Sequence, residues 1–177
     1  MKRILVLLLG MLALPACSTG PYLHPESESG QLRSIDRTCP GAQQALQYFN
    51  ADRSESLLVY VALPIAGQSE GTELRLFTWR YGKSDAKPAR ISADSPDVEW
   101  VLPSGERRTV RASLLEGGFQ SNDPRINNRS RGTKLYEGDL EEFILFLPVI
   151  RVNGEALDIR PIHFHKTQSR YAPVFNC

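Results

Sequence analysis

The sequence contains few residues of the types that usually bind soft metals or nucleic acid. It has three cysteines, none paired as CxxC or CxxxC, which disfavours a cysteine metal site. Its two methionines, Met1 and Met11, precede residue 17, so the rest of the chain cannot form a thioether-rich copper(I) site. The formal charge is only +1 and gives no general attraction to polyanions. No nucleic-acid partner is therefore expected.

The most apolar segment, residues 4–14, is too short to cross a membrane. As a helix its roughly 11 residues would extend about 16 Å, against a hydrocarbon core of about 30 Å. A positive start, Met1-Lys2-Arg3, precedes this segment, and polar residues follow Cys17. This order of segments is typical of a secretory signal.

The residues Leu14-Pro15-Ala16-Cys17 resemble the lipobox of bacterial lipoproteins. In that family a diacylglycerol is attached to the cysteine sulfur, signal peptidase II cuts before the cysteine, and the new N-terminus is acylated. The resemblance implies that residues 1–16 are a signal peptide and that acylated Cys17 holds the protein in a lipid bilayer. Because Ser18 stands where aspartate would imply inner-membrane retention, it also implies an outer-membrane lipoprotein facing the periplasm, with the inner membrane as the less favoured alternative.

Cys39 and Cys177 then remain as an even pair in an oxidising compartment. A disulfide between them would connect the two ends of the folded domain and stabilise it by up to about 5 kcal/mol in the chain-entropy view. Two free thiols or a metal pair are the alternatives.

The composition divides the mature chain into two parts. Residues 17–38 comprise the lipidated cysteine and a segment rich in Ser, Pro, Gly and Glu, which predicts a flexible tether. Residues 39–177 are predicted to form a single domain. Its first element is predicted to be a short helix over residues 40–49, which begin with a proline at a first-turn position.

The remaining pattern predicts short strands. Residues 57–64 form an apolar run and residues 72–81 alternate. Two further segments predict hairpins, one over 98–115 and one over 143–164 that turns at Asn153-Gly154. The predicted fold is mainly β, an antiparallel β-sandwich that is loosely immunoglobulin-like, with one short N-terminal helix. A partly closed β-barrel is the alternative.

His163 and His165 alternate on a predicted strand, a spacing that can chelate zinc or copper. A third ligand would have to come from elsewhere, such as His24 in the predicted tether or a carboxylate. The favoured interpretation is a solvent-facing pair, with Ile162 and Phe164 directed into the core. No cofactor is predicted, and the two histidines are weak metal candidates.

Two short patterns are typical of serine enzymes, but neither lies in the required context. Residues 67–71 match G-x-S-x-G, whose serine must stand between a strand and a helix, whereas a predicted strand follows here. Residues 84–87 match S-x-x-K, but a proline follows and the companion motifs are missing. No catalytic residue is therefore predicted.

The segment 115–142 is too long for a plain connection in a compact domain. It contains four cations, and these could contact an anionic envelope partner or could simply keep the loop solvated: Arg125, Arg129, Arg131 and Lys134.

The sequence thus favours a membrane-anchored periplasmic lipoprotein that is a non-catalytic binding or structural module of the cell envelope. Its expected partner, beyond the bilayer, is an envelope protein or a cell-wall component. An envelope hydrolase is one alternative, and a metal-handling lipoprotein that uses His163 and His165 is the other.

Overall fold

The computed structural model describes residues 18–35, 43–62, 73–82, 90–112, 133–138 and 140–171. In this part of the chain all regular structure is strand, and no helix is long and apolar enough to span a bilayer. The strands are β1 (Ser18–Glu26), β2 (Gln31–Ile35), β3 (Gln43–Phe49), β4 (Glu55–Ala62), β5 (Glu73–Gly82), β6 (Ile91–Ala93), β7 (Asp97–Val101), β8 (Arg107–Arg111), β9 (Thr133–Glu137), β10 (Glu142–Phe146), β11 (Ile150–Val152), β12 (Glu155–Ala156) and β13 (Ile162–Tyr171).

These strands form three antiparallel sheets. The first has the order β1-β13-β10-β7-β8, the second has the order β2-β3-β4-β5-β9, and a small third sheet has the order β12-β11-β6. Among the described residues none of the sheets closes into a barrel. The mainly β, sandwich-like fold predicted from the alternating sequence pattern is therefore confirmed.

One apolar core joins the sheets. Its largest fully buried side chains come from the first sheet: Trp100, Phe143 and Phe164. Phe143 stacks on Phe164 with ring centroids 5.1 Å apart, and Trp100 meets Phe143 edge-on at 6.1 Å. The second sheet supplies aliphatic side chains to the same core: Leu46, Leu57, Val59, Val61, Leu74, Leu76 and Leu135.

The first predicted hairpin is present, and so is the turn of the second. The second is otherwise not one simple hairpin, because β10 and β13 at its ends pair in the first sheet, whereas β11 and β12 beside the turn belong to the third. β7 pairs with β8 and sets Val98 opposite Val110, as the alternation predicts. β11 and β12 are joined by Asn153 and Gly154, whose φ angles of 54° and 89° are those that a two-residue hairpin turn requires.

The helix predicted over residues 40–49 is wrong, because residues 43–49 form strand β3. β3 lies between β2 and β4 and pairs with both of them. Ala45 to Tyr48 are buried on both faces, and Gln47 is accommodated by a hydrogen bond from its Nε2 to Ser56 Oγ at 2.7 Å. Tertiary pairing and burial thus override the helix preference of Ala, Gln and Leu.

The flexible tether predicted over residues 17–38 is also wrong, because β1 and β2 occupy most of it and the sandwich includes residues from Ser18 onward. β1 pairs with β13 from Ser18 to Glu26, and Leu23 is fully buried in the core. β1 is an edge strand, which explains how it tolerates two prolines. Pro21 and Pro25 are four residues apart, so their backbone nitrogens point to the same side of the strand. That side can face away from β13, where a missing N–H removes no hydrogen bond of the pair.

Candidate metal-binding site

Strand β13 presents His163 and His165 on one face and core residues on the other. Ile162 and Phe164 are fully buried, whereas the side chains of His163 and His165 are 38% and 34% exposed. The predicted alternation of these four residues is confirmed. It leaves both imidazoles on the outer face of the first sheet.

The two neighbours of β13 bring three more polar side chains to that face. On β1, His24 lies opposite His165, and Glu26 lies opposite His163. On β10, Glu142 lies opposite His165. We refer to these five residues as the histidine cluster. Since the chain contains only three histidines, all of them lie in this cluster.

Glu26, His163 and His165 form its centre. Each offers one ligand atom, and the three atoms all lie within 4.8 Å of one another. Oε1 of Glu26 is 4.0 Å from Nε2 of His165 and 3.9 Å from Nε2 of His24. The His165 ring is also close to both other imidazoles, with centroid distances of 5.2 Å to His24 and 5.7 Å to His163.

Two further contacts orient the imidazole rings. Nδ1 of His24 is hydrogen-bonded to the side-chain amide of Gln44 on β3, and its Nε2 lies on the side of Glu26. Nε2 of His163 lies 2.7 Å from Oε1 of Glu142. A carboxylate that holds one nitrogen of a histidine leaves the other nitrogen available as a ligand.

This arrangement can bind a divalent transition metal. Zinc accepts imidazole nitrogen and carboxylate oxygen at about 2.0–2.2 Å, which puts neighbouring donors about 3.3 Å apart in a tetrahedral site. The donors of the central three residues would have to approach by up to about 1.5 Å. The side chains of His163, His165 and Glu26 are all partly exposed, which leaves them room to rotate.

Most of the other residues singled out in the sequence lie outside the described residues: Cys17, Cys39, Cys177, Arg125, Arg129 and Arg131. Lys134 lies on β9, where its Nζ donates to Oε2 of Glu137 at 3.1 Å.

The two serine-enzyme patterns, residues 67–71 and 84–87, also lie outside the described residues. Strands β4 and β5, on either side of the first pattern, pair with each other as antiparallel neighbours. β5 begins at Glu73, where a nucleophile elbow would continue into a helix. The flanking structure therefore agrees with a connection between two strands.

The sequence prediction missed Glu26 and Glu142. The sequence offers His24 as a third ligand but predicts that it lies in a tether with no fixed position. A signal for the cluster does exist, because His24 and Glu26 have the same i, i+2 spacing as His163 and His165. Two such pairs on neighbouring strands place four polar side chains on one face.

Comparisons of the chain with models of protein families, with curated proteins and with solved structures find no match.

Proposed function

We propose that this protein is a bacterial cell-envelope lipoprotein. Acylated Cys17 holds its β-sandwich at the membrane, and the sandwich acts as a non-catalytic binding or structural module. One observation supports this proposal most directly. The described sandwich begins at Ser18, which pairs with Tyr171, and Ser18 is the residue next to the lipobox cysteine. Cleavage before Cys17 would thus leave every described strand in the mature chain.

A direct attachment has a physical consequence. Since β1 starts one residue after the acylated position, the end of the sandwich that carries Ser18 and Tyr171 would lie close to the headgroups. Several acyl chains give stable anchoring, with each buried CH₂ contributing about 0.8 kcal/mol. The module would therefore act near the membrane surface and not at the end of a long tether.

The same end of the sandwich supports the predicted disulfide. His24 contacts Gln44 and Ser27 lies beside Tyr48, so β1 and β3 run in the same direction. The segments 36–42 and 172–177, which contain Cys39 and Cys177, therefore leave the described strands at the end where β1 begins. Extended chains of four and six residues reach up to about 14 and 21 Å from Ile35 and Tyr171, and the proposed disulfide requires that these two reaches together span the gap between the strand ends.

Metabolic labelling with an alkyne-bearing fatty acid, followed by membrane fractionation, tests the anchor. We expect the wild-type chain to carry the label and to sediment with the outer membrane. The Cys17→Ser variant should lose both properties. Cys39→Ser, the matched substitution in the same chain, should retain them. Label that persists in Cys17→Ser would disprove the attachment.

Ser18→Asp tests the destination in the same fractions. By the lipoprotein resemblance, this variant should keep the label and move toward the inner membrane. For the disulfide, peptide mapping without reduction should find Cys39 joined to Cys177. Two freely alkylated thiols in the native protein would exclude that bond without affecting the proposed anchor.

A further inference from the structure

We propose that the histidine cluster is a binding site for a divalent transition metal of the zinc and copper class. Glu26, His163 and His165 supply the ligands, and His24 is placed to add a fourth. This proposal is independent of the lipid anchor, because it rests only on described residues of β1, β3, β10 and β13.

The composition of the cluster supports a metal more than a chance grouping. The chain has three histidines among 177 residues, and β1 and β13 bring all three together. A bound cation would accept the lone pairs of the imidazoles and the negative charge of Glu26 at once.

The surroundings resemble those of a metal site. His24 and His163 each have one ring nitrogen held by a partner, Gln44 and Glu142 respectively. Such partners fix the tautomer and the orientation of a ligating imidazole. The backbone of β13 is held in place as well, because its residues Ile162 and Phe164 are fully buried in the core.

The donor types select the kind of metal. Imidazole nitrogens suit zinc and copper, whereas calcium and magnesium prefer sites made of oxygen ligands. Copper(II) should bind more tightly than zinc, following the general order of divalent affinities. The partial exposure of both β13 imidazoles leaves room for a water or an external ligand on the metal.

Zinc titration of the full chain, purified in detergent without a histidine tag, tests the site by calorimetry and by thermal unfolding. We expect saturable binding of one zinc per chain and a higher melting temperature with zinc, since a ligand that binds the folded state stabilises it. Copper(II) should displace the zinc. Magnesium and calcium at the same concentration should not.

Variants assign the ligands. Glu26→Gln and His165→Asn should each lower the zinc affinity at least about tenfold, and Glu142→Gln should lower it about 10–100-fold through its effect on His163. Glu141→Gln is the matched control, because Glu141 is an exposed neighbour that pairs with Lys166 at 2.9 Å and contributes no ligand. It should bind zinc as the wild type does.

Circular dichroism of each variant checks that the fold is retained. The proposal is overturned if the wild-type chain shows no saturable zinc binding. Equal affinities for Glu26→Gln, His165→Asn and Glu141→Gln would also overturn it, as would displacement of zinc by calcium. None of these outcomes bears on acylation of Cys17, so the two proposals can fail separately.

Discussion

Leu23→Ala tests whether β1 is part of the folded sandwich. Leu23 is fully buried in the core although it lies in a segment whose composition predicts a tether. If β1 is folded, the substitution removes buried methyl groups and leaves a cavity. If the segment were a flexible tether, the same change would have almost no effect on stability.

The two cases differ by a measurable free energy of unfolding. Leucine-to-alanine substitutions at fully buried positions cost about 2–5 kcal/mol, and exposed substitutions usually change stability by less than about 0.5 kcal/mol. Leu32 on β2 provides a matched control, because its side chain is 51% exposed and the substitution is identical. We therefore expect a large loss for Leu23→Ala and almost none for Leu32→Ala.

Urea unfolding measures the difference. A soluble chain that begins at residue 17, with Cys17→Ser, avoids the lipid, and the buried Trp100 reports unfolding by its fluorescence. With a urea slope of about 2 kcal/mol per molar, a loss of 3 kcal/mol lowers the midpoint by about 1.5 M. Equal midpoints for the wild type, Leu23→Ala and Leu32→Ala would refute the place of β1 in the core.

Two other predictions concern the contact between Tyr48 and the turn from β1 to β2. Burial raises the pKa of Tyr48 to about 12, and Ser27 and Ser29 offset only part of the rise. The contribution of protonated Tyr48 to the free energy of unfolding should therefore be fully present below about pH 10 and should fall by up to about 3 kcal/mol as the pH rises toward 12. In unfolding curves measured at alkaline pH, Tyr48→Phe should lack this part of the loss. Gly30→Ala should lower the urea midpoint more than Gly154→Ala: both glycines have positive φ, but only at Gly30 would a Cβ meet the Tyr48 ring, at 2.7 Å. Equal losses would argue against that close contact.

Much of the fold could be predicted from the sequence because its strands have one buried face. In β7 and β13 apolar and polar residues alternate, and such a pattern is compatible with only one kind of element. The turn at Asn153-Gly154 could be predicted for a similar reason, since few residue pairs adopt two successive positive φ angles.

β1 and β3 could not be predicted, for two different physical reasons. β3 is buried on both faces, so its apolar and polar residues do not alternate, and its Ala, Gln and Leu residues favour a helix when considered alone. β1 is an edge strand, so it can contain the prolines and serines that are typical of a linker. In both cases pairing with distant strands decides the structure, and local composition carries no information about that pairing.

Because the sequence predicts a tether over residues 17–38, the candidate site could not be predicted either. A metal site that is built from two strands can be predicted only when the register of these strands is known. Any strand prediction places His163 and His165 on one face. Glu26 can be recognised as a candidate ligand only when β1 is known to lie beside β13.

That register also relates the histidine cluster to the proposed anchor. Ser18 and Tyr171 mark one end of the β1–β13 pair, and Glu26 and His163 mark the other. At about 3.4 Å per residue, the eight steps from Ser18 to Glu26 extend about 27 Å. If acylated Cys17 holds the first end at the headgroups, the same strand holds the metal ligands at the far end of this distance. An anchored strand would thus fix the distance of the site from the membrane surface, whereas a flexible tether would not.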